Sequence, residues 1–224
     1  MKLVILNFHG VGDPPPGTDP TERIYWWDQT AFNSVLDQVC SALLETDLRI
    51  TITFDDGNMS DARIALPALS RRGLTARFFV CAGRIGQAHY LDKPAVADLL
   101  AAGMSIGSHG MHHVDWRRAS AEELEQETVG ARQMLEDACA YPVDEVAIPF
   151  GSYDRRVIGT LRRQNWRSVY TSDGGHALDD AWLKPRNTLS RSCQHQRVIE
   201  QISGHEGVWR GTVRAAAQLY KRMR

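Results

Sequence analysis

Apolar positions follow two alternating rhythms. Residues 3–8 (LVILNF) are a short apolar run that predicts a strand, and 49–54 (RITITF) alternate with β-branched residues in the manner of another. Residues 76–81, 104–108, 146–148 and 168–171 predict four more. Between them, Phe32, Val35, Leu36, Val39, Ala42 and Leu43 make a helical stripe over 32–44. Helices are predicted over 60–72 and 94–102, closed by Gly73 and Gly103, and over 154–163. Ser120 with Glu123 forms a capping box that opens a long helix running to about Cys139. Residues 12–20, with three consecutive prolines, form a loop. After Gly174 the pattern weakens to a short strand near Leu189 and a terminal helix from about Val208. Strands alternating with helices imply an α/β fold with a mostly parallel sheet, and no repeat or linker divides residues 1–224, so a single domain is expected.

Composition narrows the partners more than the fold. The formal net charge of −1 gives no global field for nucleic acid or anionic membrane, so no nucleic-acid partner is expected. The basic stretch from Arg210 to Arg224 reads as the solvated face of a terminal helix. Four cysteines, Cys40, Cys81, Cys139 and Cys193, lack the spacing of a zinc ribbon or a disulfide scaffold. No run approaches the roughly 18 apolar residues of a membrane span. The apolar opening is shorter than the roughly 7–15 residues of a secretory core, so a cytoplasmic location is the expectation. Oligomeric state is not legible.

The chemistry-bearing residues sit where predicted strands end, the edge at which parallel α/β sheets and barrels bind ligands. Asp55 and Asp56 close the second strand and are followed by Gly57. Neighbouring side chains on an extended segment point to opposite faces, so the two carboxylates are expected to have different tasks. A turn or helix cap explains Asp-Asp-Gly equally well in isolation. His109, His112 and His113 follow the fourth strand, and the i,i+4 pair His109/His113 would lie on one face of a helical turn, as zinc-gripping histidines do. Pro149-Phe150-Gly151-Ser152-Tyr153 follows the next strand; alone it is an ordinary loop, and with the others it is a pocket wall whose backbone N–H groups face a substrate oxygen.

Together these blocks, TFDDG at 53–57, SHGMHH at 108–113 and IPFGSYD at 148–154, resemble the polysaccharide deacetylase family, also called the NodB-homology or carbohydrate esterase family four enzymes. The resemblance runs from about Leu3 to Arg191. It implies a distorted (β/α) barrel of about seven strands and a divalent metal, Zn²⁺ above all, with Co²⁺ or another first-row ion as alternatives. Carried over, Asp55 is the catalytic base and Asp56, His109 and His113 are the metal ligands. Phe150, Gly151, Tyr153 and His9, at the end of the first strand, become substrate-binding candidates. Two departures stand out: Ala147 occupies a place where the family usually has arginine, and Gly110 one where it has serine or threonine. Arg186 is the candidate to orient Asp55 in place of that arginine. The family's last block has no clean match, so His205 is the nearest candidate for the general acid, with His195, His176 and His9 behind it. Tyr25, Trp26, Trp27 and Trp116 are either sugar-stacking or packing aromatics. The implied activity is removal of an acetyl group from an N-acetylated sugar or glycan precursor. The alternatives are hydrolysis of a small non-sugar amide and a carbohydrate-binding protein without turnover.

Overall fold

The computed structural model describes residues 2–193 together with 198, 199 and 221. Among the described residues there are eleven strands: β1 (Lys2–Phe8), β2 (Gly10–Val11), β3 (Trp26–Trp27), β4 (Arg49–Asp56), β5 (Ala76–Val80), β6 (Ser105–Ser108), β7 (Glu145–Ala147), β8 (Ser168–Thr171), β9 (His176–Leu178), β10 (Leu183–Pro185) and β11 (Asn187–Thr188). Parallel pairing runs β10-β8-β7-β6-β5-β4-β1-β11, and β9 pairs antiparallel with β1. The link from β9 to β10 thus joins one edge of the sheet to the other and leaves a nearly closed, distorted barrel, eight strands on the main path rather than about seven. The separate β2–β3 pair lies over one side of the rim.

Helices cover the outer face. They are α1 (Pro20–Arg23), α2 (Gln29–Glu45), α3 (Leu66–Ser70), α4 (Lys93–Ala101), α5 (Ala121–Glu125), α6 (Ala131–Cys139) and α7 (Arg155–Arg163). Asp28, Asp92 and Asp154 cap α2, α4 and α7 by accepting from backbone N–H groups, and the Ser120–Glu123 capping box is present in full. The helix expected over 60–72 begins as a π-helical turn at Asp61–Ala65, and the long helix after Ser120 is broken by another at Gln126–Gly130. Each π-helical turn carries a buried acid, Asp61 and Glu127. Leu189 follows β11 where a short strand was expected. Strands β9 and β10 are too short to leave a sequence period. The terminal helix expected from about Val208 lies outside the described residues.

Alternation along the parallel strands separates two cores. Outward-facing Phe8, Phe54, Phe78 and Ile106 share one level of the register and pack beneath the helices, Phe54 stacked on Phe8 and Phe78 with centroids at 5.5 and 4.8 Å. Inward-facing Leu3, Ile5, Phe79, Ala147, Tyr170 and Ala177 fill the barrel's waist. Polar groups sit at both ends of that apolar plug, so the waist isolates two charged regions from each other.

Candidate metal centre and acid–base pair

At the C-terminal rim, Asp55 and Asp56 end β4. Asp55 follows the pleat inward and is buried. Asp56 has φ of 78°, so the alternation expected for adjacent strand residues breaks there and the two carboxylates reach the same cavity by different routes. Arg186, also fully buried, grips Asp55 in a fork, Nη1 donating to Oδ1 at 2.6 Å and Nη2 to Oδ2 at 2.8 Å. Asn7 Nδ2 donates to Asp55 Oδ2 at 2.9 Å, while Asn7 Oδ1 accepts from Arg186 Nη1 at 2.9 Å and from Thr53 Oγ1 at 2.8 Å. Burial alone would raise the Asp55 pKa; the Arg186 and His109 charges and the Arg186 hydrogen bonds outweigh it and hold the carboxyl well below the usual carboxylate range.

His109 and His113 do not share a helical turn. They flank a loop in which Gly110 (φ 84°) and His113 (φ 57°) are left-handed. A side chain at 110 would put its Cβ 2.6 Å from Glu127 Oε2, which accounts for the glycine where a hydroxyl residue was expected. Glu127 supplies the lost stabilisation instead: its carboxylate accepts from Met111 N and His112 N, both at 3.0 Å, and from Trp116 Nε1 at 3.3 Å. His109 Nδ1–H donates to the Ala147 carbonyl at 2.9 Å, which fixes the tautomer and leaves Nε2 for a ligand. Burial lowers the His109 pKa to about 4 despite Asp55, and lowers that of His113, so both rings are neutral near pH 7.

Asp56, His109 and His113 bring one ligand atom each within 4.8 Å of one another. Asp56 Oδ1 lies 3.5 Å from His113 Nε2 and 4.0 Å from His109 Nε2. One carboxylate with two neutral imidazoles suits a borderline divalent ion and leaves coordination positions for water and substrate. These groups floor a cavity of about 850 Å³ walled by His9, Tyr25, Trp26, Arg84, Tyr90 and Phe150 among others.

The remaining sequence candidates divide. His9 lines the cavity, its ring stacked on Tyr25 at 4.8 Å and its Nδ1 buried without a hydrogen-bond partner among the described residues. Phe150 (φ 58°) is 63% exposed at the mouth, its ring 4.4 Å from that of His113. Gly151 and Tyr153 do not line the cavity: the Gly151 N–H is spent on the Ile148 carbonyl, and the buried Tyr153 donates its hydroxyl to Asp173 at 2.7 Å. The structure uses them to shape the loop that carries Phe150. Trp27 and Trp116 are fully buried packing residues, whereas Trp26 and Tyr25 reach the cavity. His176 pairs with Val4 in mid-barrel, away from the rim. His205 and His195 lie outside the described residues. Lys221, read as part of a solvated face, donates to Asp173 at 2.6 Å and to the Gly151 carbonyl at 3.3 Å.

Asn7, Thr53, Arg84 and Glu127 were not candidates from sequence. A polar residue at an inward position of an otherwise apolar strand was the available signal for Asn7; Glu127 carried none, because a glutamate in a helix normally reads as exposed.

A model of the polysaccharide deacetylase family matches residues 45–169, the stretch carrying all three blocks. The chain belongs to the polysaccharide deacetylase family. Among members of that family, YxkH of Bacillus subtilis strain 168, assigned to the polysaccharide deacetylases, is 21% identical over 188 residues, covering 80% of this chain and 67% of its own. The peptidoglycan-N-acetylglucosamine deacetylase PgdA of Listeria monocytogenes is 27% identical over 114 residues, half of this chain and 24% of PgdA, so the chain spans about a quarter of that relative. In fold, the deacetylase PplD of Streptococcus pyogenes, solved with acetate, superposes with a TM-score of 0.77 at 19% identity, covering 90% of this chain and 98% of PplD.

Proposed function

We propose that this polysaccharide deacetylase is a metal-dependent hydrolase that removes the acetyl group from an N-acetylated sugar or glycan precursor, releasing acetate. The observation that carries the reading is the convergence of Asp56, His109 and His113 within 4.8 Å, beside a separate carboxylate, Asp55, that its own guanidinium keeps ionised. Asp56 and the two Nε2 atoms would hold the divalent ion, Zn²⁺ first among the candidates. When bound, such an ion polarises the amide carbonyl and makes a water nucleophilic near neutral pH.

The chain's own residues supply the rest. Asp55 is oriented by the Arg186 fork and Asn7, which leaves it able to take a proton from a water held over the cavity floor. The backbone N–H of Phe150 is our candidate donor to the developing oxyanion. His9 is our candidate for delivering the proton to the leaving sugar nitrogen: it lines the same cavity, and its Nδ1 has no hydrogen-bond partner among the described residues. Tyr25 and Trp26 present aromatic surface to a sugar ring. The substrate named for PgdA, N-acetylglucosamine within a glycan, supports the sugar reading.

The test is acetate release from N-acetylglucosamine oligomers and nucleotide sugars in the presence of Zn²⁺ or Co²⁺. Wild type should release acetate, Asp55→Asn should lose at least about 10²-fold in kcat, and His9→Gln should lose kcat with its pH profile altered. Turnover of simple amides without any turnover of sugars would replace this reading with the small-amide one.

A further inference from the structure

Each of the two rim carboxylates has its own guanidinium. Arg186 neutralises Asp55. On the other side Arg84 Nη1 donates to Asp56 Oδ1 at 3.2 Å, the same oxygen that faces His113 and His109 Nε2. The two carboxylates and the two guanidiniums are thus paired one to one before any ion enters. A divalent cation therefore meets a carboxylate already in use, and it arrives beside a fixed positive charge.

The structure ties Arg84 down at its backbone and leaves its head room to move. It ends the short turn Ala82–Arg84 after β5, where Ala82 N donates to the Gly110 carbonyl at 2.9 Å and Gly83 N to the Met111 carbonyl at 3.0 Å. A Cβ at Gly83 would stand 2.8 Å from Met111 O, so this turn and the histidine loop are packed backbone to backbone. The side chain itself is 21% exposed and lines the cavity, its guanidinium 4.9 Å from the Tyr90 ring centroid. Glu22, on α1, lines the same cavity and also contributes to its electrostatic surroundings. The guanidinium thus touches Tyr90 and feels Glu22 while it bonds Asp56, and those two contacts stay available to it when it leaves the carboxylate.

We propose that Arg84 is the resident counter-cation of Asp56, displaced when a divalent ion binds, and that it sets the metal affinity of the site. This rests on the metal-centre reading above. Arg84 stands in for the ion when the ion is absent, which keeps Asp56 from being a buried uncompensated charge, and it makes loading reversible by charging each binding event with its own displacement.

The experiment is calorimetric titration of metal-free protein with Zn²⁺ and Co²⁺ for wild type, Arg84→Gln and Arg84→Lys, with folding checked by circular dichroism. Loss of the charge should tighten binding by about tenfold or more, whereas Arg84→Lys, which keeps the charge, should stay within about threefold of wild type. Wild type that binds metal while Arg84→Gln binds it no more tightly overturns the role of Arg84 and leaves the metal centre standing. Wild type that binds no metal overturns the metal centre, and this proposal with it. A crystal structure of loaded wild type decides independently of any variant: the guanidinium should have left Asp56 Oδ1, and finding it still bonded there beside the ion overturns the proposal.

Discussion

The two ends of the barrel hold the same kind of chemistry and use it for opposite purposes. At the N-terminal end, Glu145 is buried and accepts from Arg77 Nε at 2.8 Å and Tyr170 Oη at 3.1 Å, and Arg167 Nη2 lies 3.1 Å away. At the rim, Asp55 is buried in an equally tight grip, 2.6 and 2.8 Å from Arg186. The difference lies in the neighbours. Glu145 is satisfied by donors among the described residues, and the left-handed residues nearby in sequence, Ala140 and Asn165, merely end the helices α6 and α7. Asp55 stands beside a second carboxylate and two neutral histidines, and here the left-handed residues, Asp56, His113 and Phe150, are themselves cavity residues. Such backbone costs of order 1–3 kcal/mol per residue and persists where the surroundings impose it. One end spends ion pairs on closure; the other keeps acceptors and lone pairs available for a ligand.

The sharpest way to break this comparison is to unbalance the rim. Arg186→Met leaves Asp55 buried without its partner and should cost about 3–5 kcal/mol in denaturant unfolding, much of it recovered in the double variant with Asp55→Asn. If the double variant is no more stable than the single one, the pair is not the unit described. Next in size is acid. Between pH 6.5 and about 4 the unfolded chain binds a proton at position 109 that the folded chain refuses, so the stability of metal-free protein should fall by about 3 kcal/mol as pH drops through that window. Urea melts in chelator at several pH values measure it, and His109→Gln should flatten the slope.

The other end should respond differently. Glu145→Gln should cost about 1–2 kcal/mol, because Arg77 and Arg167 are part exposed and solvent screens them, yet leave the kcat of acetate release within about twofold. A large loss of kcat at unchanged stability would mean that the waist does not isolate the two ends. The smallest effect has the opposite sign. Burial and the nearby Asp56 and Asp55 charges raise the Asp61 carboxyl well above its usual range, more than its local hydrogen bonds offset. Asp61→Asn should therefore gain about 1 kcal/mol at pH 7 and gain little below about pH 3, where the wild-type group is protonated in both states.

Much of this was legible in the order of residues, and for identifiable reasons. Strands β1, β4, β5 and β8 carry runs whose period shows directly, and TFDDG and SHGMHH stand at their ends or at the end of β6, so the rim could be assembled before any coordinates. What stayed hidden depends on tertiary register, although the family resemblance had already made Arg186 a candidate to orient Asp55. Arg186 follows β10, too short to show a period, and it reaches Asp55 across the barrel because the sheet nearly closes. It stands in for the arginine missing at Ala147, as Glu127 compensates for the hydroxyl missing at Gly110. Glu127 is buried within a π-helical turn, and no helical period predicts such a turn. The same limit applies to Arg84, whose partner Asp56 lies 28 residues away.

The central claim is a division of labour in which Asp56, His109 and His113 hold an ion and Asp55 does not. The measurement that tests it most directly is metal stoichiometry beside acetate release in wild type, His113→Ala and Asp55→Asn. Wild type should bind one ion per chain and release acetate; His113→Ala should lose both; Asp55→Asn should keep the ion and lose acetate release. An Asp55→Asn protein that is folded but has lost its ion, or a His113→Ala protein that binds as tightly as wild type, would contradict it.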